Sequence, residues 1–343
     1  MPKVTIEDVA TRARVSIKTV SRVVNNEPNV SESTRRKVNA AISTLNYRPN
    51  QSARRLKSQR SFLIGLVYDD PSAYEIPSSG YVINMQQGLL SVCKEANYDL
   101  LIHPCGFSDR RIAAEIKGLI EHSRLDGIVL APPLSNMRGI VKAIENTGTP
   151  FVGISPGGST LRQPAVATND REICAEMTAH LASLGHRRIA FITGHPDHKA
   201  VASRFLGFQD GLRDCGLKLD AALVGSGDNS IESGERCART LLDLARPPTA
   251  IFAANDDMAA GVIRVAHERR IRIPERLSVA GFDDVPLARQ IYPSLTTVNQ
   301  PLAKMAEHAA RRLIRMLHSG EASLDLEVIP SALVLRDSTG LAP

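Results

Sequence analysis

The 343-residue sequence has no tryptophan, few aromatic residues and no apolar run long enough to cross a bilayer. Aromatic side chains make up only 4% of the residues, and a membrane-spanning helix needs about 20 consecutive apolar residues. The first residues, 1–8, alternate apolar and polar positions, so they lack the apolar core of a secretory signal peptide. We therefore expect a cytoplasmic protein with no membrane partner.

The five cysteines are scattered and form no C-x-x-C pair. This pattern argues against both a disulfide framework and a zinc site. The sequence also lacks a Walker-type G-K-S/T motif, and residues 225–227 lack the third glycine of a dinucleotide fingerprint. We expect neither a cofactor nor a metal.

Two further patterns could suggest enzyme or metal chemistry. Residues 153–157 fit the G-x-S-x-G nucleophile elbow of α/β-hydrolases. However, Pro156 follows Ser155 and has no N–H to offer an oxyanion, so we interpret Ser155 as a cleft residue instead. His195 and His198 are three residues apart, but no third ligand is evident, and polar residues at a cleft rim are the simpler interpretation. We expect the protein not to be an enzyme.

Positive charge is concentrated at the N-terminus. Residues 1–60 hold 13 Lys and Arg against 4 Asp and Glu, a net charge of +9, whereas the rest of the chain holds 29 against 32, a net charge of −3. The length predicts two or three domains, because single hydrophobic cores stop growing at about 250 to 300 residues. The asymmetry predicts a nucleic-acid-binding head on a near-neutral body.

The basic head carries the pattern of three short helices. Thr5 can cap a helix ending near Ala13, Ser16 can cap a second ending near Asn25, and a third starts at Ser31. Two such helices with a short turn between them form a helix-turn-helix. The outward face of the second carries Ile17, Lys18, Ser21 and Arg22. These side chains can enter a DNA major groove, although a solvated helix face is the alternative.

Four motifs in the head carry a family resemblance. They are D-V-A from Asp8, V-S from Val15, T-V-S-R-V-x-N from Thr19, and L-N-Y-x-P-N from Leu45. Together they closely resemble the DNA-binding head of the lactose-repressor (LacI/GalR) family of bacterial transcription regulators. By that resemblance, Ile17, Lys18 and Arg22 occupy base-reading positions. Phosphate-positioning or docking positions are matched by Thr5, Ser16, Thr19, Ser21, Asn25, Ser31, Thr34, Tyr47 and Asn50.

The segment after the head, residues 51–60, contains four basic residues and no acidic one. Ala53 and Leu56 share one helical face at i and i+3. The resemblance implies a hinge helix that pairs with its symmetry mate in the minor groove, where Leu56 wedges between base pairs and kinks the duplex. A plain flexible linker is the alternative.

From residue 62 onward, strand-like runs alternate with amphipathic segments. The strand-like runs are residues 62–68, 99–103, 126–131, 150–155, 189–193, 221–225, 249–255 and 277–282. Helical segments include residues 82–97, 110–122, 171–184, 203–215, 231–244 and 257–269. This alternation predicts parallel sheets covered by helices on both faces. The strands suffice for two sheets, and the break between them is expected near residues 162–166.

Motifs in the body also match the family: D-G-I from Asp126, L-G-H from Leu184, S-R-x-x-G from Ser203, A-N-D from Ala254 and G-F-D-D from Gly281. The resemblance implies an all-α helix-turn-helix head and an α/β core of two doubly wound parallel-sheet subdomains of periplasmic-binding-protein type. Expected domains are residues 1–49 for DNA binding, 50–60 for the hinge and 61–343 for the core. The N-subdomain takes residues 61–162 and 294–327, and the C-subdomain takes residues 163–293 and 328–343.

Ligands of such folds bind beyond the carboxyl ends of the strands, here in the cleft between the two sheets. By resemblance, the effector-contacting positions are matched by Asp69, Arg204, Asn255, Asp283 and Gln300. A guanidinium among carboxylates and an amide can hold vicinal hydroxyls, so a sugar or glycoside is expected. The alternative is that the Asn and Asp residues at strand ends only cap the helices that follow.

Sugar-binding relatives often stack an aromatic ring on the ligand, and this chain offers Asn229 where that ring is expected. Candidate substitutes for stacking are Tyr74, Tyr81, Phe208 and Phe252. With Ser155 as a further cleft residue, these complete the predicted effector site.

Together the patterns predict a homodimeric, sequence-specific transcription regulator, a repressor of a carbohydrate-utilisation operon. It would bind a palindromic DNA operator under the control of a small sugar-like effector. The chain has no heptad-patterned tail after residue 336, so a dimer is expected rather than a tetramer. A cytoplasmic sugar-binding or sugar-processing α/β protein is the alternative.

Overall fold

The computed structural model describes residues 4–24, 29–47, 60–70, 80–157, 162–321 and 323–343. They divide into two compact units, Met1–Ser61 and Phe62–Pro343. Within the described ranges, no helix is long and apolar enough to cross a membrane.

The first unit is a bundle of three short helices. They are α1 (Ile6–Ala13), α2 (Ile17–Val24) and α3 (Glu32–Leu45). The predicted caps are present, because Thr5 forms a capping box with Asp8, and the hydroxyls of Ser16 and Ser31 each accept a backbone N–H of the first helical turn. One valine from each helix, Val9, Val20 and Val38, is fully buried in the shared core. The predicted helix-turn-helix head is confirmed.

The second unit alternates strands with helices. Its strands are β1 (Leu63–Asp69), β2 (Asp99–Cys105), β3 (Gly127–Leu130), β4 (Phe151–Ile154), β5 (Ala165–Ala167), β6 (Ile189–Thr193), β7 (Val224–Ser226), β8 (Ala250–Ala253), β9 (Ser278–Ala280), β10 (Thr297–Asn299), β11 (Leu326–Val328) and β12 (Ala332–Val334). Its helices are α4 (Gly80–Ala96), α5 (Ile112–Ser123), α6 (Arg138–Glu145), α7 (Asp170–Ser183), α8 (Lys199–Asp214), α9 (Ile231–Leu242), α10 (Asp256–Glu268), α11 (Pro286–Gln290) and α12 (Leu302–Ser319).

Two parallel sheets organise this unit, as predicted. The first has the order β11-β5-β4-β3-β1-β2 and the second has the order β7-β6-β8-β9. Helices α4 and α12 pack on one face of the first sheet, and α5 and α6 pack on the other. A single core joins the helices of the second sheet. The fold class of two parallel-sheet α/β subdomains is therefore confirmed.

The structure differs from the sequence prediction in the short connecting elements. Strand β5 belongs to the first sheet, so the chain leaves that sheet after Ala167 and not within residues 162–166. Residues 221–223 form a 3-10 turn, and only the end of that predicted strand pairs. Strands β5, β10, β11 and β12 have three residues each, too few to show a period-2 pattern.

The chain passes between the two halves after β5, after β10 and after β11. Strands β10 and β12 pair antiparallel at these crossings. Contacts also link the two walls of the cleft: Asn136 Nδ2 donates to Asp197 O at 3.1 Å, and the rings of Phe107 and His195 meet edge to face at 4.9 Å. The carboxyl ends of the strands face this cleft.

Candidate functional site

Arg204, on α8, is the centre of a buried polar cluster in the cleft. It is 5% exposed. Its Nη1 donates to Ala254 O at 2.7 Å, and its Nη2 donates to Gln300 Oε1 at 3.3 Å. Its guanidinium carbon lies 3.7 Å from the centroid of the Phe282 ring. These contacts hold the guanidinium plane in one orientation.

Two buried carboxylates flank this guanidinium. Arg204 Nε lies 3.7 Å from Asp170 Oδ2, and Arg204 Nη1 lies 3.5 Å from Asp283 Oδ1. Burial raises the pKa of Asp170 and raises the pKa of Asp283 to about 7. Burial disfavours the charge of Arg204, but Asp170 and Asp283 outweigh it and raise the pKa of Arg204. The arginine is therefore charged in a site that carries acidic groups on two sides.

Asp283 and Asp284 are neighbours in sequence but contact different residues. Both have positive φ, 117° and 55°, a strained region for residues other than glycine. Their side chains have different partners, and Asp284 accepts hydrogen bonds from Arg336, Asn299 and Arg289. Asp284 is thus part of the scaffold, and Asp283 remains available at the cleft.

Several buried polar atoms of the cleft have no hydrogen-bond partner. They are Ser155 Oγ, Arg204 Nε, Asn229 Oδ1, Asp283 Oδ1 and Gln300 Nε2. Buried polar atoms nearly always have a partner, because leaving one unpaired costs about 1 to 3 kcal/mol. A set of such atoms around one cleft indicates a site built to bind a polar ligand.

Asn255 has the structural role that sequence reasoning left open. Its Oδ1 accepts from Met258 N at 3.0 Å, which caps α10. Its Nδ2 donates to Asn229 O at 2.9 Å and so orients the loop that carries Asn229. The capping alternative is confirmed for Asn255, which positions a cleft residue through this second bond.

The first half of the core contributes Asp69 and Ser155. Asp69 ends β1, and its Oδ1 accepts from Phe107 N at 2.9 Å. Burial raises the pKa of Asp69, and nearby His195 opposes this effect. Ser155 follows β4 with φ of 44° and donates its backbone N–H to Val166 O. These two residues lie at strand ends as predicted, without a direct bond to Arg204.

The aromatic prediction needs correction. Phe252 is fully buried, and its ring centroid lies 5.3 Å from that of Phe191 within the core of the second half. All four residues of β8 are buried because helices cover both faces of the sheet, so Phe252 cannot stack on a ligand. Phe208 is likewise a core residue. Tyr74 lies outside the described residues.

Sequence reasoning missed Asp170 and Phe282 in this cluster, placed His198 only at the cleft rim, and named Tyr81 only as a stacking candidate. Burial and the charge of Asp283 raise the pKa of Tyr81. Burial, Arg204 and His195 lower the pKa of His198 to about 4, so this imidazole is neutral at pH 7. Asp170 could have been found from the sequence, because it is a polar residue at the start of a helix that follows a strand.

The head presents the predicted DNA-contacting side chains on and around α2. Ile17 is 47% exposed, an unusual position for a large apolar side chain, and Lys18 beside it is exposed. Thr19, Ser21 and Arg22 are half-buried. Such a mixture of one apolar and two cationic side chains on a helix suits a major groove.

The other predicted head residues have mixed placements. The hydroxyls of Ser31 and Thr34 lie 2.8 Å apart at the start of α3. Tyr47 closes the head core, where burial raises its pKa. The predicted DNA contacts that lie outside the described residues are Asn25, Asn50, Ala53 and Leu56.

Comparisons with known proteins agree with this architecture. Residues 5–50 match the family described as bacterial regulatory proteins, lacI family, and residues 178–339 match the periplasmic binding protein-like domain. The HTH-type transcriptional regulator DegA of Bacillus subtilis (strain 168) is 32% identical over 339 residues, which cover 98% of each chain.

Two solved structures resemble the whole chain. The transcriptional regulator CelR in complex with cellobiose has a TM-score of 0.75 at 28% identity and covers 98% of this chain and 100% of its own. The Lac repressor dimer bound to operator and the anti-inducer ONPF has a TM-score of 0.76 at 26% identity and covers 99% and 100%. The chain therefore belongs to the lacI family of bacterial regulatory proteins and is a transcription regulator.

Proposed function

We propose that this chain is a repressor that binds a palindromic operator as a homodimer and responds to a sugar-like effector in its cleft. The observation that carries the proposal is the buried polar atoms without hydrogen-bond partners, which include atoms of Arg204 and of its neighbours Asp283 and Gln300. A guanidinium with carboxylate and amide neighbours offers both donors and acceptors to vicinal hydroxyls. The effector site comprises Asp69, Ser155, Arg204, Asn229, Asp283 and Gln300, with Asn255 as a positioning residue.

For the DNA contact, we propose that Ile17, Lys18 and Arg22 read bases and that the cap hydroxyls of Thr5, Ser16 and Ser31 lie near phosphates. The exposed side of α2 and the positive charge of the head support this assignment. The Lac repressor relative is a dimer bound to operator. We extend both the dimer and the operator to this chain, which would act on DNA in the cytoplasm.

Closure of the cleft would couple the effector site to the operator-binding site. A ligand that contacts Asp69 on one wall and Arg204 on the other gains both sets of contacts only at one degree of closure. Such differential affinity shifts the equilibrium between cleft arrangements, and with it the affinity for the operator. We keep residues 1–49, 50–60 and 61–343 as the proposed DNA-binding, hinge and effector-binding domains.

Duplex selection followed by ligand titration tests this function. The full-length protein should enrich a palindromic site from random duplexes, and cellobiose, ribose and other sugars should then be titrated into the complex. We expect one of them to change operator affinity and ultracentrifugation to report a dimer. Enrichment of no sequence would refute the regulator, and a monomer at micromolar concentration would refute the symmetric operator.

The hinge has its own test. Leu56→Ala should retain non-specific, salt-sensitive DNA binding but lose operator selectivity and bending, because a wedge acts through deformation of the duplex. Unchanged bending in a gel-phasing assay would show that residues 50–60 are a plain linker.

A further inference from the structure

Asp170 is the least expected member of the cleft cluster. It opens α7, its side chain is 7% exposed, and its Oδ2 lies 3.7 Å from Arg204 Nε. The Thr168 hydroxyl donates a hydrogen bond to Asp170 Oδ1, which fixes the carboxylate in place. With Asp283 on the opposite side, one guanidinium is shared between two buried carboxylates.

Acidic groups therefore outnumber the buried cation in the cleft. Asp69 adds a third carboxyl group on the facing wall, and His198 is held neutral by burial and by Arg204. Lys199, at the start of α8, adjoins Gly157 in the other half of the core, and its side chain is exposed to solvent. The charge of Arg204 is thus already faced by Asp170 and Asp283 before any ligand enters.

The unpartnered atoms require a ligand that both donates and accepts hydrogen bonds. Asp283 Oδ1 and Asn229 Oδ1 are acceptors, Gln300 Nε2 is a donor, and Ser155 Oγ can act as either. A hydroxyl group meets both needs. A carboxylate group accepts only, and a phosphate group offers few O–H donors, so either would leave acceptors unpaired and would bring negative charge next to Asp170 and Asp283.

We propose that this cleft selects uncharged polyhydroxyl ligands and rejects sugar phosphates and uronic acids, and that Asp170 is the residue that sets this selectivity by neutralising Arg204. The inference rests on the proposed function, because it concerns the same effector site. Selectivity of this kind arises from a repulsive element built against the competing ligand. Removing the charge of Asp170 should convert Arg204 into an anion-binding group.

Inorganic phosphate is a direct probe of this conversion. Thermal unfolding should be measured with and without phosphate for the wild type, D170N, D170N/R204Q and the surface control D243N, whose exposed carboxylate pairs with Arg269. We expect phosphate to stabilise D170N more than the wild type or D243N, and this gain to vanish in D170N/R204Q. No gain in D170N, or an Arg204-dependent effect already present in the wild type, would overturn the proposal. If D170N fails to fold, D283N removes the other carboxylate and carries the same expectation.

Matched sugars separate this inference from the proposed function. Glucose with glucose 6-phosphate and glucuronate, and ribose with ribose 5-phosphate, should be titrated into the wild-type operator complex. If one of these sugars changes operator affinity, we expect the neutral sugar to bind at least about tenfold more tightly than its anionic counterpart. We expect the ratio of the two affinities to be smaller in D170N than in the wild type. A stronger response to the anionic member would overturn the selectivity while leaving a sugar-controlled regulator intact. If phosphate stabilised D170N but no sugar changed operator affinity, the role of Asp170 in neutralising Arg204 would be supported and the sugar effector would be refuted.

Discussion

The guanidinium of Arg204 lies over the ring of Phe282, with 3.7 Å between its central carbon and the ring centroid. Phe282 is fully buried and directly precedes Asp283, so one short segment supplies both the surface under the arginine and one of its counterions. Arg204 is thereby both an element of the folded core and the group best placed to meet a ligand. Its removal should have two separable consequences.

Replacing Arg204 with glutamine should destabilise the core and abolish the effector response. Two buried carboxylates would lose their counterion, and breaking a buried pair in this way costs about 3 to 5 kcal/mol. Urea denaturation at pH 7.5 measures this loss, and D170N in the same chain should restore part of it. At temperatures where R204Q is folded, it should bind operator and ignore the effector. A full effector response in R204Q would mean that the cleft site lies on other residues.

The stability of the core should fall as the pH rises from 6 to 8. Burial raises the pKa of Asp283 to about 7, so the folded state holds a proton that the unfolded chain, with a carboxyl pKa near 3.9, has released. A raised carboxyl pKa contributes stability that is complete below the unfolded value and is lost as the pH passes through the folded value.

The control for this pH effect is D283N, which removes the titrating group while keeping its shape. The slope of unfolding free energy against pH should be flatter in D283N than in the wild type, although Asp170 and Asp256 also have raised pKa values and retain part of it. The exposed D214N should keep the wild-type slope. Equal slopes in D283N and the wild type would contradict the assignment.

Lys18→Ala should change which operator variants are preferred, since a base-reading side chain carries sequence information. Each lost bidentate base contact costs about 1 to 3 kcal/mol at its own position. Lys37→Ala is the matched control, because Lys37 is an exposed lysine on α3 instead of α2. Competition binding with a set of single-base operator variants measures both. An unchanged ranking in Lys18→Ala would show that α2 presents another face to DNA.

Thr5→Ala should loosen the start of α1. The Thr5 hydroxyl and Asp8 form a capping box, and hydrogen bonds from Thr5 lower the pKa of Asp8. Loss of such a cap costs about 1 kcal/mol. Amide hydrogen exchange in α1 should therefore accelerate, whereas Thr11→Ala, in the same helix but outside the cap, should change it less. Equal effects from the two variants would argue against the cap.

Local features of the head could be predicted because their causes are local. A cap such as Ser16 acts on an N–H three residues away, and the valines of α2 recur at helical spacing. In the core, long apolar runs such as β1 and β6 identified the strands of both sheets. The three-residue strand β5 was not predicted, because its pairing depends on neighbours that are distant in sequence.

The sequence by itself therefore determined the helix-turn-helix head, the alternation of strands and helices, and the cleft at which Arg204 on its helix and Asp283 after its strand would meet. Only the tertiary structure decided which partners each of these side chains contacts. It joined Asp170 to Arg204 across 34 residues of chain, set Phe282 beneath the guanidinium, and sent Phe252 into the core and Asp284 into the scaffold. The physical reason is that hydrophobic periodicity and capping act over a few residues, whereas burial and charge pairing arise only when separate strands bring their carboxyl ends to one cleft.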